Sequence, residues 1–237
     1  MPAERLVIVF DVNETLSDMA PLGEAFAQIG APRGLAKLWF ATLLRDGFAL
    51  TASGDNKAFA AIGADALRTL LEAEGISRDL DAAVERIMTA MQNLSLHPDV
   101  PDGVRALAAA GHRLITLTNG AAANTRKLFA AGGIRDNFEL LLSVDDAPAW
   151  KPARAAYEYA GASAGSEPSN MLLVAVHPWD IHGAARAGLR TAWLNRTGAR
   201  YPSYFQAPDV VITALTELPP VLAGQGLAKG QGLANGR

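Results

Sequence analysis

The sequence predicts an α/β protein: a Rossmann-like, doubly wound parallel sheet with an inserted helical cap. Three observations carry the prediction. Short β-branched runs recur along the chain, helix-length segments separate them, and one long interval holds helix formers without a convincing strand. The runs are Leu6 to Phe10, Arg113 to Thr118, Leu140 to Val144, Met171 to Val176, Thr191 to Asn195 and Asp209 to Ile212. Strands that alternate with helices pair in parallel, because each parallel connection needs a crossover. Most of these runs are continuously apolar, as expected of strands covered on both faces.

Taken in order, the first run leads into the interval from Pro21 to Leu96, which is rich in Ala, Leu, Glu and Arg and predicts a helical insert. Its helices are expected over Gly34 to Leu44, Asn56 to Ile62, Ala64 to Glu74 and Leu80 to Met91, with breaks at Gly30-Ala31-Pro32, Ser53-Gly54-Asp55 and Gly75-Ile76-Ser77. Beyond it, Val104 to Ala110, Ala121 to Ala131 and Ala153 to Ala160 have room for crossover helices. The expected division is a core of residues 1–20 and 95–222, a cap of 21–94, and a tail of 223–237. That tail contains Gly-Gln-Gly-Leu-Ala twice and no core residue bulkier than Leu, so it is expected to be a mobile extension. A cap inserted after the first strand would close a pocket over the C-terminal strand ends.

Composition excludes several function classes. Half of the 237 residues are hydrophobic and 19% are charged, which excludes a disordered chain. The net charge is −3, with no long run of either sign to draw nucleic acid or an anionic membrane. There is no cysteine, so thiolate metal sites, disulfides and cysteine nucleophiles are absent. The apolar run Leu6 to Phe10 is too short for a signal segment or a membrane span, and a cytoplasmic location is expected.

Four strand ends carry candidate chemistry. Phe10-Asp11-Val12-Asn13-Glu14-Thr15-Leu16 ends an apolar strand in a carboxylate with Thr four residues on. Alone, it reads first as a strand-ending turn in which Asp11 or Thr15 satisfies backbone N–H groups. Thr118-Asn119-Gly120 can cradle an anion with a hydroxyl and helix-terminal N–H groups, or can be an ordinary capped turn. Trp150-Lys151-Pro152 places a lysine just before a helix, where an isolated lysine is usually at the surface. His177-Pro178-Trp179-Asp180 puts His and Asp three residues apart, with a buried His or an N-capping Asp as the alternative.

Together, Asp…Thr, Thr-Asn-Gly, Lys-Pro and Asp, each at a strand end and in this order, resemble the haloacid dehalogenase superfamily and, within it, the type II 2-haloacid dehalogenases. The resemblance runs from about Leu6 to Leu222 and includes Tyr157 six residues after Lys151, Trp179-Asp180-x-x-Gly183-Ala184, and Trp193-Leu194-Asn195-Arg196. It implies a homodimer and a covalent mechanism without metal or organic cofactor. Asp11 would attack the carbon bearing halogen, and water would then hydrolyse the Asp11 ester to a 2-hydroxy acid. In that scheme Lys151 keeps Asp11 ionised, Asp180 positions Lys151 and activates water, Thr15 and Thr118 orient nucleophile and substrate carboxylate, and Asn119 supports that site.

Two residues separate this reading from a phosphate-ester hydrolase of the same superfamily. Such phosphatases usually carry a second Asp two residues after the nucleophile, where this chain has Asn13, which cannot act as an acid. The first acidic residue of their Mg²⁺-holding pair corresponds to Val176, which offers no oxygen ligand. A third reading is a non-catalytic binder of small carboxylates.

The chain also departs from the type II pattern. Asn13 and Glu14 stand where Tyr and Gly are usual, Phe40 follows Trp39 where the halide-accepting Arg is usual, and Ala175 and His177 replace Ser and Asn. Arg45 is a substitute only if its helix is rotated or the pocket rearranged. His177 is a candidate to donate to halide, fluoride included, or to assist the hydrolytic water; a purely structural histidine is the alternative. Val12, Asn13, Trp39, Phe40, Arg45, Tyr157 and Trp179 are candidates for the lining of a pocket that accepts a small halogenated carboxylate.

Overall fold

The structure, a computed structural model, describes residues 5–76 and 79–224. The central sheet is assembled from strands that the sequence placed to within one residue at nearly every end. In chain order the elements are β1 (Val7–Phe10), β2 (Ser17–Asp18), α1 (Pro21–Gln28), α2 (Leu35–Ala52), α3 (Phe59–Ala73), α4 (Leu80–Gln92), β3 (Ser95–Leu96), α5 (Val100–Ala109), β4 (Arg113–Thr118), α6 (Ala122–Ala131), β5 (Leu140–Ser143), α7 (Arg154–Ala164), β6 (Met171–Ala175), α8 (Pro178–Ala187), β7 (Arg190–Leu194), β8 (Val210–Ile212) and α9 (Leu218–Gly224). Six strands form one parallel sheet in the order β5-β4-β1-β6-β7-β8. The chain therefore starts in the middle and winds first one way, then the other, leaving a crevice at the C-terminal end of β1 where the direction reverses.

Side-chain alternation explains why helices cover both faces. Val7, Val9, Ile115, Leu117, Leu173 and Ala175 point to one face, where they join α7 and α8 and a core that continues into α1–α4. Ile8, Phe10, Leu114, Leu172 and Val174 point to the other, against α5, α9 and Phe129 of α6.

Helices α1–α4 pack on one another, α2 on α3, α3 on α4 and α4 on α1. At their base, the chain crossings to and from the sheet are zipped by a two-residue antiparallel ladder in which Ser17 faces Leu96 and Asp18 faces Ser95. That ladder is a strand inside the interval expected to have none; two residues are too few for a period-2 signal. Helix α1 was also not anticipated, although Pro21 at its start and Leu22, Ala25 and Phe26 on its buried face are its signature.

Two further corrections share one cause. Helix α2 continues through Arg45-Asp46-Gly47 to Ala52 instead of ending at Leu44, and α3 joins the two expected helices across Gly63. At neither glycine does the chain turn. A Cβ on Gly47 would lie 2.4 Å from the Trp150 ring, and one on Gly63 would lie 2.9 Å from Leu43, so each glycine admits a neighbour rather than breaking a helix. At the C-terminus, Ala223 and Gly224 complete α9. The rest of the expected mobile tail lies outside the described residues. No helix among the described residues is long and apolar enough to cross a membrane.

Candidate active site

Parallel pairing brings the ends of β4, β1 and β6 side by side. Phe10 is level with Thr116 on one side and Val174 on the other, so Asp11 leaves the sheet between Thr118-Asn119 and Val176-His177. The Asp11 amide still donates to the Val174 carbonyl at 3.1 Å, fixing the first residue of the turn against the sheet. Thr15, four residues on, donates its hydroxyl to Asp11 Oδ2 at 2.5 Å and accepts the Val176 amide at 3.1 Å, locking the turn to β6. Arg196 grips the same turn from below, donating to the Thr15 carbonyl and pairing with Asp99 at 2.8 Å.

Lys151 arrives from the loop before α7. Asn119 exchanges two hydrogen bonds with its backbone, donating to its carbonyl at 3.2 Å and accepting its amide at 3.0 Å. The Lys151 ammonium, fully buried, reaches Asp11 Oδ1 at 2.9 Å and Asp180 Oδ2 at 2.5 Å. Tyr157 on α7 donates to Asp180 Oδ1 at 2.6 Å. A Cβ on Gly183 would sit 2.6 Å from that tyrosine hydroxyl, so the glycine of the Asp180-x-x-Gly183 run makes room for it.

On the opposite side, His177 Nδ1 lies 3.2 Å from Asp11 Oδ2 and Nε2 lies 2.8 Å from Glu14 Oε2. Glu14 has φ 61°, in the left-handed region that non-glycine residues enter at a cost of about 1–2 kcal/mol. His97 bonds the Glu14 carbonyl at 3.1 Å and helps hold that turn.

These neighbours set the charges. Burial alone would push the Asp11 carboxyl up, but the Lys151 ammonium and hydrogen bonds from His177 and Thr15 hold it well below the usual carboxylate range. Burial works against charge on Lys151 too, and the Asp11 and Asp180 carboxylates outweigh it, so the ammonium is stabilised. Asp180 is pushed up by burial and by the Asp11 charge, against the pull of Lys151. For His177, burial again opposes charge, yet its bonds to Asp11 and Glu14 prevail and the imidazole is pushed up to about 9. Asp11 is thus an ionised carboxylate between two cationic groups, Lys151 and His177.

The expected pocket residues divide into those that reach this centre and those that do not. Val12, Asn13, Thr118 and Gly120 line a cavity of about 30 Å³ closed by Phe59 and Met91 from the helical insert. The Phe40 ring is 6.3 Å and the Trp179 ring 5.0 Å from the His177 ring, with Phe48 stacked edge-on to Trp179. Tyr157, expected to contact substrate, stands behind Asp180 and is buried. Trp39, also expected in the pocket, is buried in the insert and donates to the Gly63 carbonyl at 2.9 Å. Arg45 lies about 140° round the helix from Phe40. It is exposed, pairs with Asp46, and borders a different cleft with Leu38 and Asp65. It does not replace the missing cap arginine. Glu14 was read only as a departure from a family pattern; nothing in its local sequence showed that it would face His177, 163 positions away.

Comparisons with known proteins identify the family. The family model for haloacid dehalogenase-like hydrolases matches residues 6–188. The (S)-2-haloacid dehalogenase of Pseudomonas sp. (strain YL) is 33% identical over 213 residues, covering 88% of this chain and 90% of that protein. Haloacetate dehalogenase H-2 of Moraxella sp. (strain B) is 28% identical over 218 residues, 91% of this chain and 97% of its own. Among solved structures, the L-2-haloacid dehalogenase from Xanthobacter autotrophicus with chloropropionic acid covalently bound superposes with a TM-score of 0.85 at 25% identity, covering 94% of this chain and all of that one. With the fold, the order of the strand-end motifs and relatives matched along almost their whole length, the chain belongs to the haloacid dehalogenase-like hydrolases and, within them, to the type II, or (S)-2-haloacid, dehalogenase family.

Proposed function

We propose that the protein is a metal-independent hydrolase of short 2-haloalkanoic acids, haloacetates and 2-halopropionates, releasing halide and a 2-hydroxy acid. The observation that carries the reading is the buried Asp11 carboxylate, held ionised by Lys151 and Thr15 beside a small cavity walled by Thr118, Asn13 and apolar insert residues. A desolvated carboxylate is a competent nucleophile toward carbon. Asn13 supplies no acid for an alkoxide leaving group, and Val176 supplies no oxygen to a metal; halide, a weak base, needs neither.

The substrate carboxylate is assigned to Thr118 and the turn through Gly120, where Asn13 also approaches. Asp11 displaces halide in line and becomes an ester. Lys151 then faces the oxygen on which charge develops when water attacks the ester carbon, and Asp180, with Tyr157 behind it, keeps the ammonium in place. Helices α1–α4 act as the cap, contributing Phe40, Phe48 and Phe59 as an apolar wall. A homodimer and a cytoplasmic location belong to the same proposal.

The test is halide release by EDTA-treated protein from fluoro-, chloro- and bromoacetate and both enantiomers of 2-chloropropionate, with an aryl phosphate plus Mg²⁺ in parallel. Halide without metal is the expected result. Phosphate release alone would reverse the reading of Asn13 and Val176, and ligand binding with no covalent labelling of Asp11 would make the protein a carboxylate binder. A monomer by light scattering at micromolar concentration would remove the dimer.

A further inference from the structure

The ester on Asp11 has to be hydrolysed by an activated water, and the two sides of Asp11 are not equally suited to supply the base. Asp180 has both carboxylate oxygens engaged, by Lys151 at 2.5 Å and by Tyr157 at 2.6 Å, and is fully buried. His177 is different. Its Nδ1 lies 3.2 Å from Asp11 Oδ2, its Nε2 is 2.8 Å from Glu14, and exposure increases along this path from 5% at the Asp11 side chain to 13% at His177 and 42% at Glu14. A continuous line of proton-carrying groups thus runs from the nucleophile to solvent.

We propose that His177 is the general base that activates water against the Asp11 ester, that esterification itself converts it to the basic form, and that Glu14 is the residue that positions it. The inference rests on the dehalogenase reading of the site. Carboxylate–imidazole pairing of this kind fixes the tautomer and stabilises the imidazolium that forms. The left-handed Glu14 backbone is what turns its carboxylate back toward β6.

The protons balance. At rest His177 is an imidazolium, held so by Asp11 and Glu14. Attack by Asp11 forms the carbon–oxygen bond, breaks the carbon–halogen bond and cancels the Asp11 charge. The imidazolium, left with Glu14 alone, gives its Nδ1 proton to water that enters the site as the halide departs and carries it away, which is the one proton the overall hydrolysis liberates. Neutral His177 then takes a proton from water as its oxygen adds to Asp11 Cγ, and returns that proton to the hydroxy-acid oxygen as the Cγ–O bond breaks. The second proton of the water, left on the Asp11 carboxyl, then passes to Nδ1, so that Asp11 is again a carboxylate and His177 is again charged beside it.

The groups facing His177 are few: Asp11 from the end of β1, Glu14 from the following turn, Lys151 across Asp11, and the uncharged rings of Phe40 from α2 and Trp179 from α8. Titration of His177 is therefore governed by the two carboxylates. For kcat, when ester hydrolysis limits, the rate is expected to rise with pH through a value below 9. For kcat/KM, which reports the free enzyme, a fall above about 9 is expected, because the anionic substrate then meets one cation fewer.

Rapid-quench halide release and intact-protein mass, with chloroacetate as substrate, test the base. His177→Gln is expected to release about one halide per site in a burst and then stall as the ester, with turnover down about 10²- to 10⁴-fold. Glu14→Gln is expected to turn over about 10-fold more slowly with the rising limb of kcat displaced to lower pH, a displacement that loss of a merely structural contact would not produce. Folded His177→Gln that turns over normally, or that gives no burst, overturns the assignment. Wild-type protein that releases no halide from any haloacid overturns the dehalogenase reading and this inference with it. A second measurement needs no turnover: in Asp11→Asn, whose neutral amide mimics the ester, the His177 pKa by NMR is expected to fall by about 1–3 units. An unchanged value overturns the coupling.

Discussion

Asp11 is bonded on two sides by groups of opposite character, and the contrast is between a sealed ion pair and a pair that leads outward. Toward α7 the Lys151–Asp180–Tyr157 side is closed: all three are buried and their polar ends satisfy one another. Toward solvent the His177–Glu14 side leads outward, from 13% exposure at His177, beside the rings of Phe40 and Trp179, to 42% at Glu14. A closed ion pair has no ready route for exchanging protons with solvent, whereas an imidazole with a carboxylate on each side and a path outward through Glu14 has one. In the mechanism proposed above, one side fixes the electrostatics and the other handles the proton.

Substitutions sharpen the contrast, beginning with the group common to both sides. Asp11→Asn is expected to lower turnover by about 10⁴-fold or more, measured as halide release; halide release at the wild-type rate would remove Asp11 as the nucleophile. Next, Lys151→Met leaves two carboxylates buried without their cation, and a loss of about 3–5 kcal/mol in urea unfolding is expected together with loss of activity. If Lys151→Met is as stable as wild type, the closed side is not what holds the site together. Gly183→Ala should cost about 1–3 kcal/mol, because the added methyl displaces Tyr157 or Pro152, and kcat should drop as Asp180 loses its support. Unchanged melting and kcat would mean that Tyr157 tolerates displacement. The smallest effect belongs to Arg45→Ala, expected to alter turnover by less than about twofold because that side chain is exposed on another face of α2.

Stability should show the same asymmetry against pH. The folded-state pKa of His177 is raised to about 9 from an unfolded value of about 6.5, so its stabilising contribution is complete below about 6.5 and is lost as pH rises through 9. The folded-state pKa of Asp11 is depressed, so its contribution is present above the unfolded value of about 4 and is lost as pH falls through the folded one. Urea midpoints should therefore decline from about pH 6.5 to 9 in the wild-type protein and stay flatter in His177→Gln. Parallel profiles would show that the open side contributes nothing to stability.

How far the sequence could be read depended on the range of the forces involved. β4 was readable to the residue because Leu114, Ile115 and Leu117, interrupted only by the β-branched Thr116, are buried on both faces. The end of α2 and the continuity of α3 were not: the expected ranges stopped short of Gly47 and divided at Gly63, and only the structure shows Trp150 and Leu43 seated against those glycines inside unbroken helices. Of the site, Asp11, Thr15, Thr118, Asn119, Lys151 and Asp180 stood out as polar residues at strand ends, and the fold brings them together. That Trp39 lies buried within the insert, Tyr157 behind Asp180 and Arg45 exposed beside Asp46 was not legible, because residue type and helical position alone do not say which face of an element meets the pocket.

The sequence by itself determined the parallel sheet, the helical insert and the identity of the chemistry-bearing strand ends, since alternation of apolar runs and the burial it demands are properties of local composition. Only the tertiary structure decided which partner each of those residues met. Lys151 and Asp11 are 140 positions apart and touch because the direction of winding reverses at β1. Glu14 faces His177 because one left-handed residue turns it back toward β6. Such pairings depend on strand order and a single backbone angle, and the free energy that selects them comes from the two cores packed against the sheet rather than from the residues that meet.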